Sequence, residues 1–321
     1  MPSETGTKAN GIDPITKNEN HSQYTSRPPA VARHHGPMTD PRISLPDGRT
    51  LAYREYGDPG GHPVVNCHGG LVCGLDVAAF GDAARAAGLR LISPDRPGIG
   101  ESSPAPGRAT GDWAADVAAL LDALDVERTA VFGWSMGGQY ALACAALLPA
   151  RVTRTVVVAG ALPLDDAATF AALNPMDHRF TRLAAHHPDL AKATFATLGE
   201  VARHSPDVWA HLTARGAVPD EARAIEALPD PGIAAAAAVA LAGGAGMVEE
   251  YRAWVRPWGF ALGEIPGDVV VWQGAADDLI PPAWGAQLAE GISGARLTAV
   301  EGAGHFVAYT HTAEVLADLL G

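Results

Sequence analysis

Short apolar runs alternate with stretches that are apolar at helical spacing along most of this chain. "HPVVNC" (62–67), "LRLISPD" (89–95), "RTAVFG" (128–133), "RVTRTVVVAG" (151–160), "DVVVWQG" (268–274) and "ARLTAVEG" (295–302) are continuous enough to be strands buried on both faces. Between them, "LDVAAFGDAARAAG" (75–88), "GDWAADVAALLDALDV" (111–126, with Asp112 as its cap), "SMGGQYALACAALLP" (135–149), "WGAQLAEGI" (284–292) and "HTAEVLADLL" (311–320) read as helices. An earlier segment, "RISLPDGRTLAYREYG" (42–57), reads as a hairpin turning at Pro46-Asp47-Gly48. Strand–helix alternation of this kind predicts an α/β fold: a mostly parallel sheet with helices on both faces.

The rhythm pauses after Gly160. Residues 162–262 are helical and Ala-rich throughout, as in "LAAHHPDLAKATFATLGEVARHSPDVWAHLTARG" (183–216) and "IAAAAAVALAGGAGMVEEYRAWV" (233–255). A block of that length between two strands predicts a helical cap, or lid, over the carboxyl edge of the sheet. The core would then be 39–161 together with 263–321. Residues 1–38 are polar and rich in Pro, Thr and Asn; they resemble neither a secretory signal nor a membrane span and are expected to be a disordered or loosely packed tail.

Composition narrows the function classes. The chain has 321 residues, 47% of them hydrophobic, enough for a full core. A net charge of -13 without any dense Lys/Arg cluster argues against nucleic acid or an anionic membrane as partner. The three cysteines, Cys67, Cys73 and Cys144, suit neither a disulfide framework nor a zinc site. Cys67 and Cys144 read as buried hydrophobes, and Cys73, in a Gly-flanked loop, as a candidate ligand contact. The expectation is a cytoplasmic protein, monomer or homodimer, acting on a small molecule without metal or cofactor.

The candidate chemistry begins at "GWSMGG" (133–138). Gly-x-Ser-x-Gly is weak alone in a chain with 36 glycines. Here it ends a predicted strand and opens a predicted helix, the context of a nucleophile elbow. Gly133 and Gly137 would permit the sharp turn, Ser135 would be lifted above the sheet edge, and the Met136 N–H would face a developing oxyanion. A serine hydroxyl needs a base. His305 lies in "EGAGHFVAY" (301–309), a glycine-rich loop after the last strand. The base needs an orienting carboxylate, and Asp277 follows Gly274 by three residues, in the loop after another buried strand. Asp278, Asp165 and Asp166 are its rivals. The second oxyanion donor is assigned to the backbone of "HGG", at Gly70 or its neighbour Leu71, with His68 holding the loop by hydrogen bonds. Leu71 and Trp134 are candidate substrate contacts. Trp209, Trp254 and Trp258 read as packing within the cap, and Asp95 with Arg96 as part of a structural loop.

Taken in order, "HGGL" (68–71), "PDRPGIGES" (94–102), "GWSMGG" (133–138), "RPWGF" (256–260), "GAADDLIP" (274–281) and "GAGH" (302–305) resemble the α/β-hydrolase superfamily over residues 40–320. The resemblance implies an eight-stranded, mostly parallel sheet, a helical cap and a cofactor-free Ser-Asp-His triad. The motifs say little of the substrate; the Ala, Leu and Trp content of the cap points to an apolar small molecule, so the expectation is an esterase or lactonase, with acyltransferase, lyase or cofactor-independent oxygenase chemistry, or ligand binding alone, as alternatives. Serine at the elbow argues against epoxide hydrolases and haloalkane dehalogenases, which use Asp there; the absence of a "GGSWGG"-like elbow argues against an amino-end peptidase.

Overall fold

In the computed structural model, which describes residues 40–228 and 232–321, every apolar run named above lies in a strand of one sheet. The strands are β1 Arg42–Ser44, β2 Thr50–Gly57, β3 His62–Cys67, β4 Leu89–Pro94, β5 Thr129–Trp134, β6 Val152–Val158, β7 Val269–Gly274 and β8 Arg296–Val300. Their order is β1-β2-β4-β3-β5-β6-β7-β8. The hairpin β1–β2 joins β4 antiparallel, and every pairing beyond it is parallel. Burial accounts for β5 and β7, which are buried at every position; β8, expected to be buried on both faces, instead lies on the edge and is largely exposed. The fold is thus an α/β arrangement with an eight-stranded, mostly parallel sheet, as the sequence led us to expect.

Helices α1 Gly81–Ala86, α2 Trp113–Ala123 and α3 Gly137–Leu147 link the first strands, and α11 Pro282–Gly291, α12 Val307–Thr310 and α13 Thr312–Ala317 complete the chain after β7. Between β6 and β7 lie α4 Ala167–Ala171, α5 Pro175–His186, α6 Pro188–His204, α7 Pro206–Ala214, α8 Pro219–Glu226, α9 Gly232–Ala240 and α10 Ala245–Trp254. Proline explains why the long helical stretches are divided: each of α5 to α8 opens on one, where its missing N–H costs nothing. The Ala-rich stretch breaks at Gly243 and Gly244, both in the left-handed region. Insertion and sheet form one compact unit, Asp40–Gly321. The expected tail lies outside the described residues.

Two local expectations need correction. The helix read from Ser135 starts at Gly137, because Ser135 has φ 55°, which an α-helix cannot accommodate. Asp112 caps no orphan N–H of α2; its carboxylate accepts from the Ala109 N–H in the turn before the helix (2.8 Å).

Candidate active site

Strand β5 delivers Ser135 into a turn that only small neighbours allow. A Cβ on Gly133 would strike the Gly137 carbonyl, and one on Gly137 would overlap the Cys67 carbonyl oxygen of β3. The strained Ser135 backbone is pinned on both sides: its N–H donates to the Val158 carbonyl of β6 (2.8 Å) and its carbonyl accepts from Gly138 (2.9 Å). The side chain therefore projects beyond the carboxyl edge of the sheet, beside the N-terminus of α3, where backbone N–H groups are unpaired.

The loops after β7 and β8 complete a hydrogen-bonded chain. His305 Nε2 lies 3.0 Å from Ser135 Oγ, and Nδ1 lies 3.0 Å from Asp277 Oδ2. The other Asp277 oxygen accepts from the N–H groups of Leu279 (2.8 Å) and Ile280 (2.9 Å), and Gln273 donates to Oδ2 (3.2 Å). Burial pushes the Asp277 carboxyl up, but the His305 charge and its hydrogen bond outweigh it and hold Asp277 below the usual carboxylate range. Burial likewise favours neutral His305, yet Asp277 prevails and lifts the imidazole above its ordinary value. Asp277 is the aspartate brought to the histidine. Asp278 and Asp165 are exposed, and Asp166 is spent capping α4 through Thr169.

Opposite this chain lies the "HGG" loop. Gly70 packs against the Met136 side chain, bringing its backbone beside that of the elbow, and Leu71 adopts φ 58°. Among the described residues nothing accepts from the Gly70 or Met136 N–H groups. His68 is fully buried. The Arg96 N–H donates to its Nε2 (3.1 Å), which leaves Nδ1–H to donate to the Gly69 carbonyl (2.9 Å). Burial, aided by the Arg96 charge, keeps that ring neutral. The Asp76 carboxylate takes the Gly69 N–H (3.0 Å), and Arg96 donates to the carbonyls of His68 and Gly69. Arg96 is itself paired with Glu250 of α10 (2.7 Å), which also pairs with Arg108. Burial opposes the Glu250 charge, but the two arginines hold its carboxyl down to about 2. Asp95 pairs not with Arg96 but with Arg54 (2.8 Å), so the loop is structural, as read from the sequence.

Above Ser135 the insertion closes a cavity of about 410 Å³. Gly70, Leu71, Trp134 and Met136 line its floor, and Phe180, Leu198, Trp209 and Trp254 line its roof. Two expectations change here. Trp209 and Trp254 face the cavity and do more than pack the cap, whereas Trp258 does stay in the core; Cys73 is fully buried in the core and does not line this cavity. Trp134 serves two ends: it lines the cavity, and its Nε1–H donates to the His305 carbonyl (2.9 Å) while the ring packs 5.4 Å from the imidazole. Sequence reasoning did not find Glu250 or Asp177, which sit on helices without a motif. Asp177 is the one acidic side chain on the cavity wall among the described residues, and both its oxygens accept, from Tyr251 Oη (2.7 Å) and from Asn174 Nδ2 (2.7 Å). Asp177 falls in the first turn of α5, where an acidic residue is the ordinary choice, so no local signal sets it apart.

This site has known counterparts. A sequence model described as the alpha/beta hydrolase family matches residues 64–319. Over 115 residues, 36% of this chain, it is 41% identical to the dihydrolipoyllysine-residue acetyltransferase component of the acetoin cleaving system of Pseudomonas putida. A proline iminopeptidase of Xylella fastidiosa is 34% identical over 120 residues, 36% of this chain. These alignments take in only 31% and 37% of the relatives' own length. Among solved structures, the enol-lactonase of Burkholderia xenovorans superposes with a TM-score of 0.63 at 21% identity, covering 87% of this chain and 99% of that one. Such a likeness speaks to the fold.

Proposed function

We propose, since the chain belongs to the alpha/beta hydrolase family, that it is a serine hydrolase cleaving the ester or lactone bond of a small apolar substrate through an acyl-enzyme. The observation that carries this reading is the Ser135–His305–Asp277 chain, with both links at 3.0 Å, on the floor of an apolar cavity. In the proposed cycle His305 Nε2 takes the Ser135 proton as Oγ attacks the acyl carbon. Asp277 holds Nδ1–H and stabilises the imidazolium. The N–H groups of Met136 and Gly70 receive the oxyanion. His305 then protonates the departing alkoxide and deprotonates the water that releases the acid. The apolar walls favour an aliphatic or ring-bearing acyl group over a charged one.

A second reading, cleavage of an amide next to a free amino group, is favoured by Asp177, whose carboxylate would meet a substrate ammonium. Burial raises its carboxyl, as expected of a charge without a cationic partner. A short-chain p-nitrophenyl ester and proline p-nitroanilide, each assayed with wild type and Ser135→Ala, decide between these readings. Ester turnover that Ser135→Ala abolishes supports the first. Preference for the anilide, lost in Asp177→Asn, supports the second. Equal rates for wild type and Ser135→Ala would contradict both.

A further inference from the structure

The insertion reaches into the reacting centre at a second place. Glu221 sits in the first turn of α8, yet its side chain is turned inward and the residue is 1% exposed, while its neighbour Asp220 is solvated. One carboxylate oxygen accepts from the Gly304 N–H (2.6 Å) and the other from the Phe306 N–H (3.2 Å). Those are the two residues that flank His305. The receiving backbone is shaped for this contact, because a Cβ on Gly304 would come within 2.8 Å of Glu221 Oε2.

A comparison with the other buried glutamate sharpens the point. Glu250 is compensated by Arg96 and Arg108. Glu221 has no arginine or lysine partner among the described residues. Burial raises its carboxyl against the two N–H donors, and the positive charge that favours its carboxylate is that of the His305 ring. A buried carboxylate in that position is costly unless something answers it. Three acidic groups face the imidazole: Asp277 from the loop after β7, Asp177 from α5 and Glu221 from α8. Only Asp277 touches the ring.

We propose that Glu221 is a positioning residue for His305, through which the helical insertion holds the base loop in its working geometry. The inference rests on the hydrolase reading for its consequence in turnover, but the contact itself does not. Helix α8 lies in sequence between Thr213 and Gly216 on one side and Ile233 on the other, all of which line the cavity. The helix that holds the histidine loop is therefore flanked by the chain that covers the substrate, so that seating the insertion and setting the base become one event.

The test uses Glu221→Gln and Gly304→Ala, with the solvated Asp220→Asn as control. Glutamine keeps the shape but removes the charge and turns an N–H2 toward one of the donors. An alanine at 304 pushes the carboxylate away from the core side; Gly304 is outside the left-handed region, so a methyl strains little besides this contact. We expect kcat to fall about tenfold in each, the order of one lost charge-assisted hydrogen bond, with KM little changed. The acid limb of the pH–rate profile should move to lower pH, since a negative charge that favours the imidazolium has been removed or displaced. The double variant should be no worse than the poorer single one. The His305 ring titration, followed by NMR, should show the same downward shift without any turnover, so failure of Ser135→Ala to abolish activity would count against the hydrolase reading alone. An acid limb and a ring titration unmoved in Gly304→Ala and in folded Glu221→Gln would overturn the proposal, even if kcat fell. Should Glu221→Gln fail to fold, Gly304→Ala alone decides by the same readouts.

Discussion

The loops at the carboxyl edge of the sheet and the helices inserted between β6 and β7 build the same cavity by opposite means. Each edge loop is short, follows a strand of the sheet, and carries a polar residue whose position that strand dictates. Ser135, Asp277 and His305 are set by β5, β7 and β8, and their spacing in space is a property of the sheet. The insertion contributes mostly apolar surface, in Phe180, Leu198, Trp209 and Trp254; its charged contributions are Asp177 on the cavity wall and two buried glutamates that grip the edge loops from above. Under the proposed function this is a division of labour: the sheet supplies the reacting groups, and the insertion supplies the substrate's surroundings and locks the loops in place.

Breaking the sheet side should cost most. Asp277→Asn is expected to lower turnover by about four orders of magnitude through the wrong imidazole tautomer, measured by steady-state ester kinetics, while Asp278→Asn leaves it near wild type. Breaking the insertion's grip should appear as instability. Glu250→Ala leaves the guanidinium groups of Arg96 and Arg108 buried without their counter-charge, and urea titration should show a loss of about 3–5 kcal/mol. Opening the roof should be milder and selective. Trp209→Ala should raise KM for short acyl chains about tenfold and spare longer ones, with kcat nearly unchanged. The smallest effect sought is a position on the pH axis. On the proposed mechanism activity requires neutral His305, and Asp277 raises that ring above its ordinary value. The rate should therefore climb with pH through a limb lying above about 6.5, the unperturbed histidine value, and a limb below it would show that the Asp277 link is not made in solution.

The same division explains what could be read from the sequence. Strands buried on both faces leave continuous apolar runs, and the turns after them need glycine, so "GWSMGG" and "GAADDLIP" announce both the element and the residue it presents, while "GAGH" is marked by its glycines alone. The antiparallel β1–β2 edge was legible from Pro46-Asp47-Gly48. The insertion leaves no such trace. Its helical periodicity says which face is apolar but not whether that face meets protein or an open cavity, so Trp209 and Trp254 looked the same as Trp258. Glu221 and Glu250 follow charged neighbours on their helices, Asp220 and Glu249, and nothing local separates the buried member of each pair from the exposed one. That distinction is made by tertiary partners: two N–H groups beside His305 for one, two arginines for the other. The start of α3 was misplaced for a related reason, because left-handed strain at Ser135 is imposed by contacts with β3 and β6 rather than by its own propensity.

The central claim is that Ser135 becomes acylated, and covalent labelling tests it most directly. The protein would be treated with a fluorophosphonate, digested, and the modified peptide located by mass spectrometry. On this account the adduct sits on Ser135, forms far more slowly in His305→Ala, and is absent in Ser135→Ala. A folded wild-type protein that turns over ester while Ser135 stays unmodified would contradict it.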